Sequence, residues 1–334
     1  MIKDKSMLVI FTKLEKIFSI PEEKFNIGER KGEGINLKKY LSQGDIVKDI
    51  IRTSEESDLL IFTAFGRVYR INSNKVQVLR KASKKVELQD VRELLDLKEP
   101  EFPSIDKVVR IISADQKDYQ NNPFAFLGTK EGMVKKMFLG EFQSVRRSGA
   151  KIISLRGDDD LLDVKIIGKD DEIFLTSTSG HLVRFKSSEV REMGREAIGV
   201  EGINLSNKKD LPNFQVISIS CRTEGEEIFT LTRKGKSKYT KLDEYKLTGR
   251  GRKGMYAYKF KEKNGELLTC FAISVFNTSE FLFLITSSGK VVRLRADAIS
   301  SRKNRASAGV GIIRLDKKKQ EEVVHCFKYM EFKK

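Results

Sequence analysis

The string GRGRKG, residues 249–254, combines three glycines with three cations and has the spacing G-x-G-x-x-G, which can mark a dinucleotide pyrophosphate site. Such a site needs a helix after the glycines and an acidic residue about 20 positions further on. Here the sequel MYAYKF alternates like a strand, and Thr269 stands where the acid is needed. No G-x-x-x-x-G-K-[ST] string occurs either. The residues therefore favour cations that meet phosphate without binding a nucleotide.

Few other residues have the types and spacing of a catalytic or metal site. The two histidines, His181 and His325, stand in no triad or metal-ligand spacing, and the three cysteines form no C-x-x-C pair and are expected to be buried thiols. The acidic run 158–160 is expected to form a turn between repeats, since adjacent carboxylates on an extended chain point to alternate sides. We expect no catalytic residue, metal or cofactor in this chain.

The charge of the chain points to a polyanionic partner. Its 334 residues hold 64 Lys and Arg against 47 Asp and Glu, a formal net charge of +17, and the 39 % hydrophobic content is that of a soluble globular protein. No run approaches the roughly 18 apolar residues of a spanning helix, and the start lacks the apolar core of a signal peptide. A cytoplasmic protein that binds nucleic acid is expected, without a membrane partner.

The elements that must position these cations come from a repeat. An apolar run, a turn and a second run with basic residues recur six times, and the copies open near residues 7, 59, 124, 172, 227 and 281. The turn residues are Glu15, Gly66, Gly132, Gly180, Gly235 and Gly289. Each copy predicts a β-hairpin whose turn needs a positive φ. In the second strand the residues alternate, so one face is expected in a core and the other in solvent.

Repeats of about fifty residues with four short strands are typical of propeller blades. We therefore predict an all-β, six-bladed, propeller-like fold that occupies residues 1–334 as a single domain. An insertion is expected at about 89–123, with a short helix within 88–97. The run VVHCFKYM, residues 323–330, could pair with blade one or with blade six.

The basic residues are in phase with the repeat. Four copies have a cation one residue after the turn residue, four have one at the fourth position after it, and a basic or glycine-rich segment follows further on in each blade. Equivalent positions in successive blades would lie around a rim, where a convex belt of cations suits bent duplex DNA. DNA contacts are expected from Arg30, Arg67, Arg70, Lys135, Lys136, Arg146, Arg147, Arg184, Lys236, Lys238, Arg250, Arg252, Lys253, Lys290, Arg293, Arg302, Lys303 and Arg305.

Two other interpretations of the charge remain open. The cations could form a solvated surface that protects strand edges, or the propeller could be a scaffold for an acidic protein partner held by aromatic anchors on one face. RNA is disfavoured, because the chain lacks an aromatic RNP-like motif and has no Trp.

Six hairpins of the form TAFGRVYR, TSTSGHLVR and TSSGKVVR, with segments such as LDEYKLTGRGRKGMYAYKF, make the whole chain resemble the C-terminal domain of the A subunit of bacterial type IIA topoisomerases, gyrase or topoisomerase IV. The resemblance implies a six-bladed β-pinwheel, whose blades exchange strands, and a role in binding and bending or wrapping DNA. It also implies two protein partners in an ATP-dependent enzyme: the N-terminal cleavage domain of the same A subunit, together with the ATPase B subunit.

Gyrase members carry the box QRRGGKG in the first blade, where this chain has GERKGEG: Gly28, Glu29, Arg30, Lys31, Gly32, Glu33 and Gly34. Glu29 and Glu33 replace two basic residues of the box, and the nearest echo is GRGRKG in blade five. Because degenerate boxes are typical of topoisomerase IV, the departure favours a topoisomerase IV-like domain over gyrase.

Overall fold

The computed structural model describes residues 6–24, 40–79, 87–97, 103, 105–121, 123–206, 214–275 and 280–330. Within them the chain is almost entirely β, with two five-residue helices, α1 (Val91–Leu95) and α2 (Gln116–Gln120). The first twelve strands are β1 (Ser6–Thr12), β2 (Lys16–Pro21), β3 (Val47–Ser54), β4 (Asp58–Thr63), β5 (Arg67–Asn72), β6 (Gln89–Asp90), β7 (Val108–Ala114), β8 (Phe124–Thr129), β9 (Met133–Phe138), β10 (Ala150–Lys151), β11 (Leu161–Ile167) and β12 (Glu172–Ser177). The remainder are β13 (His181–Lys186), β14 (Val200–Glu201), β15 (Val216–Cys221), β16 (Glu227–Thr232), β17 (Lys236–Lys241), β18 (Met255–Tyr256), β19 (Leu267–Ile273), β20 (Glu280–Thr286), β21 (Val291–Arg295), β22 (Val310–Gly311) and β23 (Val323–Met330).

These strands form six sheets that repeat one plan, which confirms the predicted all-β fold of six blades. Each sheet starts with an antiparallel hairpin at a predicted repeat opening, and a third strand then pairs with the first strand of that hairpin. The strand orders are β3-β1-β2-β6, β10-β5-β4-β7, β11-β8-β9-β14, β15-β12-β13-β18, β19-β16-β17-β22 and β21-β20-β23.

The fourth strand of a sheet comes from the following repeat. For example, β14 follows the hairpin β12–β13 in the chain, yet it pairs with β9 of the preceding sheet. We call β6, β10, β14, β18 and β22 the crossing strands. The sixth sheet has three strands within the described part of the chain. This exchange between neighbours is the pinwheel arrangement that the resemblance implies.

The hairpin turns have the predicted left-handed conformation. The five turn glycines have φ between +69° and +86°, and Glu15 has φ +60°. In five blades the carbonyl of the turn residue accepts a hydrogen bond from the main chain at a crossing strand. These bonds, of 2.8 to 3.0 Å, are Val91 to Glu15, Ile152 to Gly66, Gly202 to Gly132, Ala257 to Gly180 and Ile312 to Gly235. Each turn therefore also anchors the chain that arrives from the next repeat.

The expectation of one buried and one solvent-facing side is wrong for several second strands, since the four central residues of β2, β9 and β17 are all buried. The first strands of the hairpins are buried as well. All six residues of β8 and of β16 are buried. The reason is visible in β12, where Ile173 and Leu175 pack in one core with Phe185 and Val190, while Phe174 packs in a second core with Ile228. A strand sandwiched between two cores needs apolar residues on both faces, which explains the continuous apolar runs.

The chain divides into two compact units, Met1–Asn122 with Leu139–Ile152, and Pro123–Phe138 with Ile153–Lys334. The division follows the strand exchange: β10 completes the second sheet, whereas β8 and β9, which precede it, belong to the third. The single domain over residues 1–334 stays a prediction.

The stretch 89–123, expected to be an insertion, supplies regular elements to the blades. It holds β6 of the first sheet and β7 of the second, with α1 and α2 after them. The helix expected within 88–97 is confirmed as α1, which begins with a capping box formed by Asp90 and Glu93. The run 323–330 is β23 and pairs with β20 of blade six. Within the described ranges no helix is long and apolar enough to cross a membrane.

Third strands join the sheets of the second unit. The strand β11 contacts β15, β15 contacts β19, and β19 contacts β23. Glu224, just after β15, ties three of them together: its Oε1 lies 3.1 Å from Lys165 Nζ of β11 and 3.2 Å from Lys328 Nζ of β23. Lys328 also donates to the carbonyl of Ala272 in β19 at 3.1 Å. We call Lys165, Glu224 and Lys328 the Glu224 cluster.

Candidate nucleic-acid interface

A loop precedes each of the crossing strands β10, β14, β18 and β22. In the fifth sheet the Arg302 amide donates to the Tyr239 carbonyl at 2.8 Å, and the chain returns to the same strand where Val310 pairs with Ser237. The intervening residues 302–309 therefore span only two positions of β17. Equivalent loops occupy residues 146–149, 193–199 and 249–254, and we call these four the crossing loops.

The crossing loops share one place in the sheet. In each sheet that has a crossing strand, that strand and the third strand lie at opposite edges. The third strands are the edges through which consecutive sheets of the second unit touch. The crossing loops of the second unit thus lie at the other edge of their sheets, away from those contacts.

Three of the crossing loops carry exposed cations. Six of the predicted residues lie there with exposed side chains: Arg146, Arg147, Arg252, Lys253, Arg302 and Lys303. We call these six the loop cations. Arg147 also donates to the Leu94 carbonyl at 3.2 Å, yet 54 % of its side chain stays accessible. Guanidinium and ammonium groups held outward in this way can meet phosphate oxygens.

The string GRGRKG is the crossing loop 249–254. Its three glycines have φ +88°, +68° and +81°. Gly254 must lack a side chain, since a Cβ there would lie 2.3 Å from the Leu182 carbonyl oxygen. Arg250 turns back to the protein, because its guanidinium donates to the carbonyls of Glu189 and Glu201 at 3.2 and 3.0 Å. The loop thus presents Arg252 and Lys253 outward, while Arg250 fastens it.

Cations at the fourth position after the turn hold the chain that leads into the crossing loops. Arg70 donates to the Val145 carbonyl at 3.1 Å, and Lys136 donates to the Ser187 carbonyl at 3.0 Å. Arg184 donates to the Leu242 and Tyr245 carbonyls at 3.0 and 2.8 Å.

Two of these cations have further partners in their own hairpins. Arg70 pairs with Asp58 at 3.0 Å, and Arg184 pairs with Glu172 at 2.7 Å. In the sixth sheet the guanidinium of Arg293 stacks 3.6 Å from the Phe281 ring centre. All four cations are therefore occupied by the protein itself, and we leave them out of the interface proposed below.

Cations at the first position after the turn residue are partly buried or exposed. Arg67 donates to the Tyr69 hydroxyl at 3.1 Å and to the Ser148 carbonyl at 3.4 Å. Lys236 donates to Asn264 Oδ1 at 3.0 Å, and exposed Lys290 donates to the Arg314 carbonyl at 3.3 Å. They lie near the hairpin turns, apart from the loop cations in sequence.

Two of the predicted DNA-binding residues are fully buried. Lys135 and Lys238 both have 0 % of their surface exposed, so neither ammonium can reach a phosphate. Both stand at the third position after the turn, where the other repeats have Phe18, Tyr69, Val183 and Val292. That apolar column was a sequence signal that this position faces the interior.

The remaining residues predicted to contact DNA are not among the loop cations. Arg305 lies on loop 302–309 with a partly buried side chain. Arg30 and the other degenerate box positions, Gly28, Glu29, Lys31, Gly32, Glu33 and Gly34, lie outside the described residues. The basic segment 80–86 of the first crossing does so as well.

Other groups with reactive side chains serve the fold. Asp159 of the acidic run accepts the Glu131 amide at 2.9 Å and so holds the hairpin turn of the third sheet. The pKa of His181 is lowered to about 4 by burial and by the nearby Lys253. The three cysteines are buried and free, as expected, and burial raises the pKa of Cys270 to about 11.

The sequence matches a family described as "DNA gyrase C-terminal domain, beta-propeller" over residues 57–86, 124–167, 171–211, 226–274 and 280–328. The DNA gyrase A protein of Ureaplasma parvum serovar 3 is 31 % identical over 98 % of this chain and 36 % of that protein. The chain spans about a third of the length of the curated relatives it matches.

Two solved structures share the fold. The C-terminal domain of a DNA topoisomerase IV is 20 % identical and superposes with a TM-score of 0.74, over 99 % of this chain and 95 % of that one. The C-terminal domain of a DNA gyrase A is 19 % identical with a TM-score of 0.73, over 98 % of this chain and all of that one.

Proposed function

We propose, on the premise that this chain belongs to the DNA gyrase C-terminal domain family, that it binds and bends or wraps duplex DNA along its crossing loops as the accessory domain of a type IIA topoisomerase. The observation that carries the proposal is the recurrence of exposed cation pairs at one structural place, in loops 146–149, 249–254 and 302–309.

Phosphate contacts alone can supply this binding. Each neutralised phosphate releases counterions, which favours binding without reading any base. Bending a site of 20–30 bp by 40–90° costs roughly 1–6 kcal/mol, so contacts from several blades are needed to offset it. Exposed cations at the same place in three of the sheets meet that need.

The similarity of this sequence to DNA gyrase A proteins supports a domain of the gyrase type, although the degenerate first-blade box favours topoisomerase IV. The two solved structures, one of each type, match almost equally and do not separate them. We propose the gyrase type, with weak wrapping because of Glu29 and Glu33. The partners would be the cleavage domain of the same polypeptide and the ATPase B protein of the enzyme, acting on DNA in the cytoplasm.

Binding to linear duplexes of increasing length, titrated with salt, tests the proposal. Affinity should rise with duplex length to a plateau, because more crossing loops are engaged. The logarithm of the binding constant should fall with the logarithm of the salt concentration, by about 0.9 per phosphate contacted. Binding that does not depend on salt would overturn DNA as the ligand. The alternative would then be an acidic protein partner.

The double variant Arg252→Ala/Lys253→Ala should weaken binding by a similar factor on all DNA sequences. Because it removes up to two phosphate contacts, the salt slope should become shallower by up to about 1.8. The matched control is Lys261→Ala/Lys263→Ala, which removes the same charge from exposed residues outside the crossing loops. Equal losses in both variants would show that net charge matters and the loops do not.

Closing nicked circles with the bound protein separates the two enzyme types. A gyrase-type domain that wraps DNA should leave positive writhe in the closed circles, in an amount reduced by the degenerate box. Closed circles with no writhe would contradict the gyrase type and support the topoisomerase IV type.

A further inference from the structure

Each of two crossing loops encloses its own buried lysine. In loop 302–309 the ammonium of Lys238 donates to the Arg305 carbonyl at 2.9 Å and to Thr240 Oγ1 at 2.6 Å. In loop 193–199 the ammonium of Lys135 donates to the Arg195 carbonyl at 2.8 Å. Each lysine stands on the strand between the two points where its loop leaves and rejoins the sheet, so the loop closes over it.

The main chain packs tightly at the same points. A Cβ on Gly309 would lie 2.7 Å from the Lys238 Cβ, and a Cβ on Gly199 would lie 3.5 Å from the Lys135 Cβ. Both glycines have a positive φ, +78° and +97°, which lets the chain turn from the loop back onto the strand. The lysine, the glycine and the accepting carbonyl therefore repeat as one arrangement in two sheets.

Burying an ammonium is unfavourable, so its position needs a reason. An apolar residue at this position, as in four of the repeats, packs without that penalty. The lysine provides what an apolar residue cannot, a donor that reaches the centre of a loop and satisfies a main-chain carbonyl there. Loop 302–309 carries the loop cations Arg302 and Lys303.

We propose that Lys238 is a positioning residue of the DNA interface, which fixes the main chain of loop 302–309 from beneath, and that Lys135 fixes loop 193–199 in the same way. This inference rests on the proposed function. Without the donor, the loop would have to be ordered when DNA binds, and that loss of conformational freedom would lower the affinity. A lysine at the third position after the hairpin turn thereby acts on DNA without touching it.

The test compares Lys238→Met with Lys241→Met in amide hydrogen exchange and in DNA binding by the full chain. Met keeps the length of the side chain without the donor, and Lys241 is an exposed lysine of the same strand, so both variants lose one charge. In Lys238→Met, exchange of residues 302–309 should speed up and DNA affinity should fall, each by about two- to tenfold, the range expected for one hydrogen bond. Lys241→Met should leave that exchange unchanged.

A reciprocal variant separates this effect from general destabilisation. Lys135→Met should speed exchange of residues 193–199 and leave 302–309 as in the wild type. Equal exchange in Lys238→Met and Lys241→Met, or acceleration throughout the chain, would overturn the inference. If the wild-type chain shows no salt-dependent DNA binding, the proposed function fails and with it the role in DNA binding, whereas the exchange data still decide whether the lysines hold the loops.

Discussion

Glu15 shows how one residue can replace a turn glycine. A side chain at φ +60° is strained by about 1–2 kcal/mol. Its carboxylate offsets that strain, because Oε1 accepts the Val108 amide at 2.9 Å and Oε2 lies 2.9 Å from Arg92 Nη2. The buried carboxylate thus links the first hairpin turn to the third strand of the second sheet.

Replacing Glu15 with Gly should lower the free energy of unfolding, although glycine suits the turn. The relief of about 1–2 kcal/mol is smaller than the roughly 3–5 kcal/mol lost when one partner of a buried ion pair is removed. The net decrease in the free energy of unfolding should be about 1–4 kcal/mol in urea unfolding. Glu15→Gln, which keeps an acceptor for the Val108 amide, should fall between the two. A Glu15→Gly variant as stable as the wild type would contradict this role of the carboxylate.

Lys238 should give the stability of the protein a distinct pH dependence. Burial and the charge of Arg305 lower the pKa of Lys238 from 10.5 to about 8, although Cys270 opposes this shift. Between pH 8 and 10.5 the unfolded chain binds the proton and the folded one does not, so stability rises with pH.

The difference between the wild type and Lys238→Met isolates this effect from other groups. Relative to the variant, the wild type should gain about 3 kcal/mol between pH 8 and 10.5, measured by urea unfolding. Below pH 8 the difference should be flat. A difference that is constant over the whole range would mean that the ammonium is not buried.

At the scale of elements, the packing of a crossing strand on a hairpin turn determines whether the turn glycine can be replaced by a larger residue. Gly180 and Gly289 have nearly the same φ, +81° and +79°. A Cβ on Gly180 would lie 2.0 Å from the Tyr258 carbonyl oxygen, just beyond crossing strand β18, whereas none of the described atoms lies within 4 Å of a Cβ on Gly289. Gly289→Ala should cost about 1–2 kcal/mol from φ alone. Gly180→Ala should cost about 1–3 kcal/mol more in thermal or urea unfolding; equal costs would contradict the packing of β18 on that turn.

The sequence predicts the hairpins and turns well, because their signals are local. Alternation of side chains, with glycine where φ is positive, is encoded within about a dozen residues. The hydrogen-bond partners of Arg70, Lys136 and Arg184 could not be predicted. The period of a strand does not tell whether a cation faces solvent or a carbonyl 51 to 75 residues away in the chain. The exposure of the loop cations agrees with their basic segments, whereas the charge of Lys135 and Lys238 gave no indication that these two side chains are buried.

At the scale of the whole molecule, the Glu224 cluster ties the third strands of the second unit together. Burial would raise the pKa of Glu224, but Lys165, Lys328 and the Ser220 hydroxyl hold it well below its usual value. Glu224→Ala leaves two lysines without their shared carboxylate and should cost about 3–5 kcal/mol in urea unfolding. The exposed neighbour Glu226→Ala should change stability by less than about 0.5 kcal/mol.

The Glu224 cluster should also contribute to acid sensitivity. Because the folded-state pKa of Glu224 is lowered, its contribution is present above the ordinary value of 4.5 and is lost as the pH falls below it. The wild type should lose stability relative to Glu224→Ala over that range. Parallel acid unfolding curves for the two proteins would contradict the ion pairing.

Strand exchange also sets an order for biosynthesis. Each of the first five sheets receives its crossing strand only after the next hairpin has been made, so one edge of the sheet stays unpaired on the ribosome until later residues are synthesised. A nascent chain that stops at residue 275 would hold β16, β17 and β19 but lack β22, which pairs with β17. Translation pauses at repeat boundaries would therefore prolong the exposure of unpaired strand edges, which are prone to aggregation. The final repeat protects the preceding sheet by supplying its crossing strand.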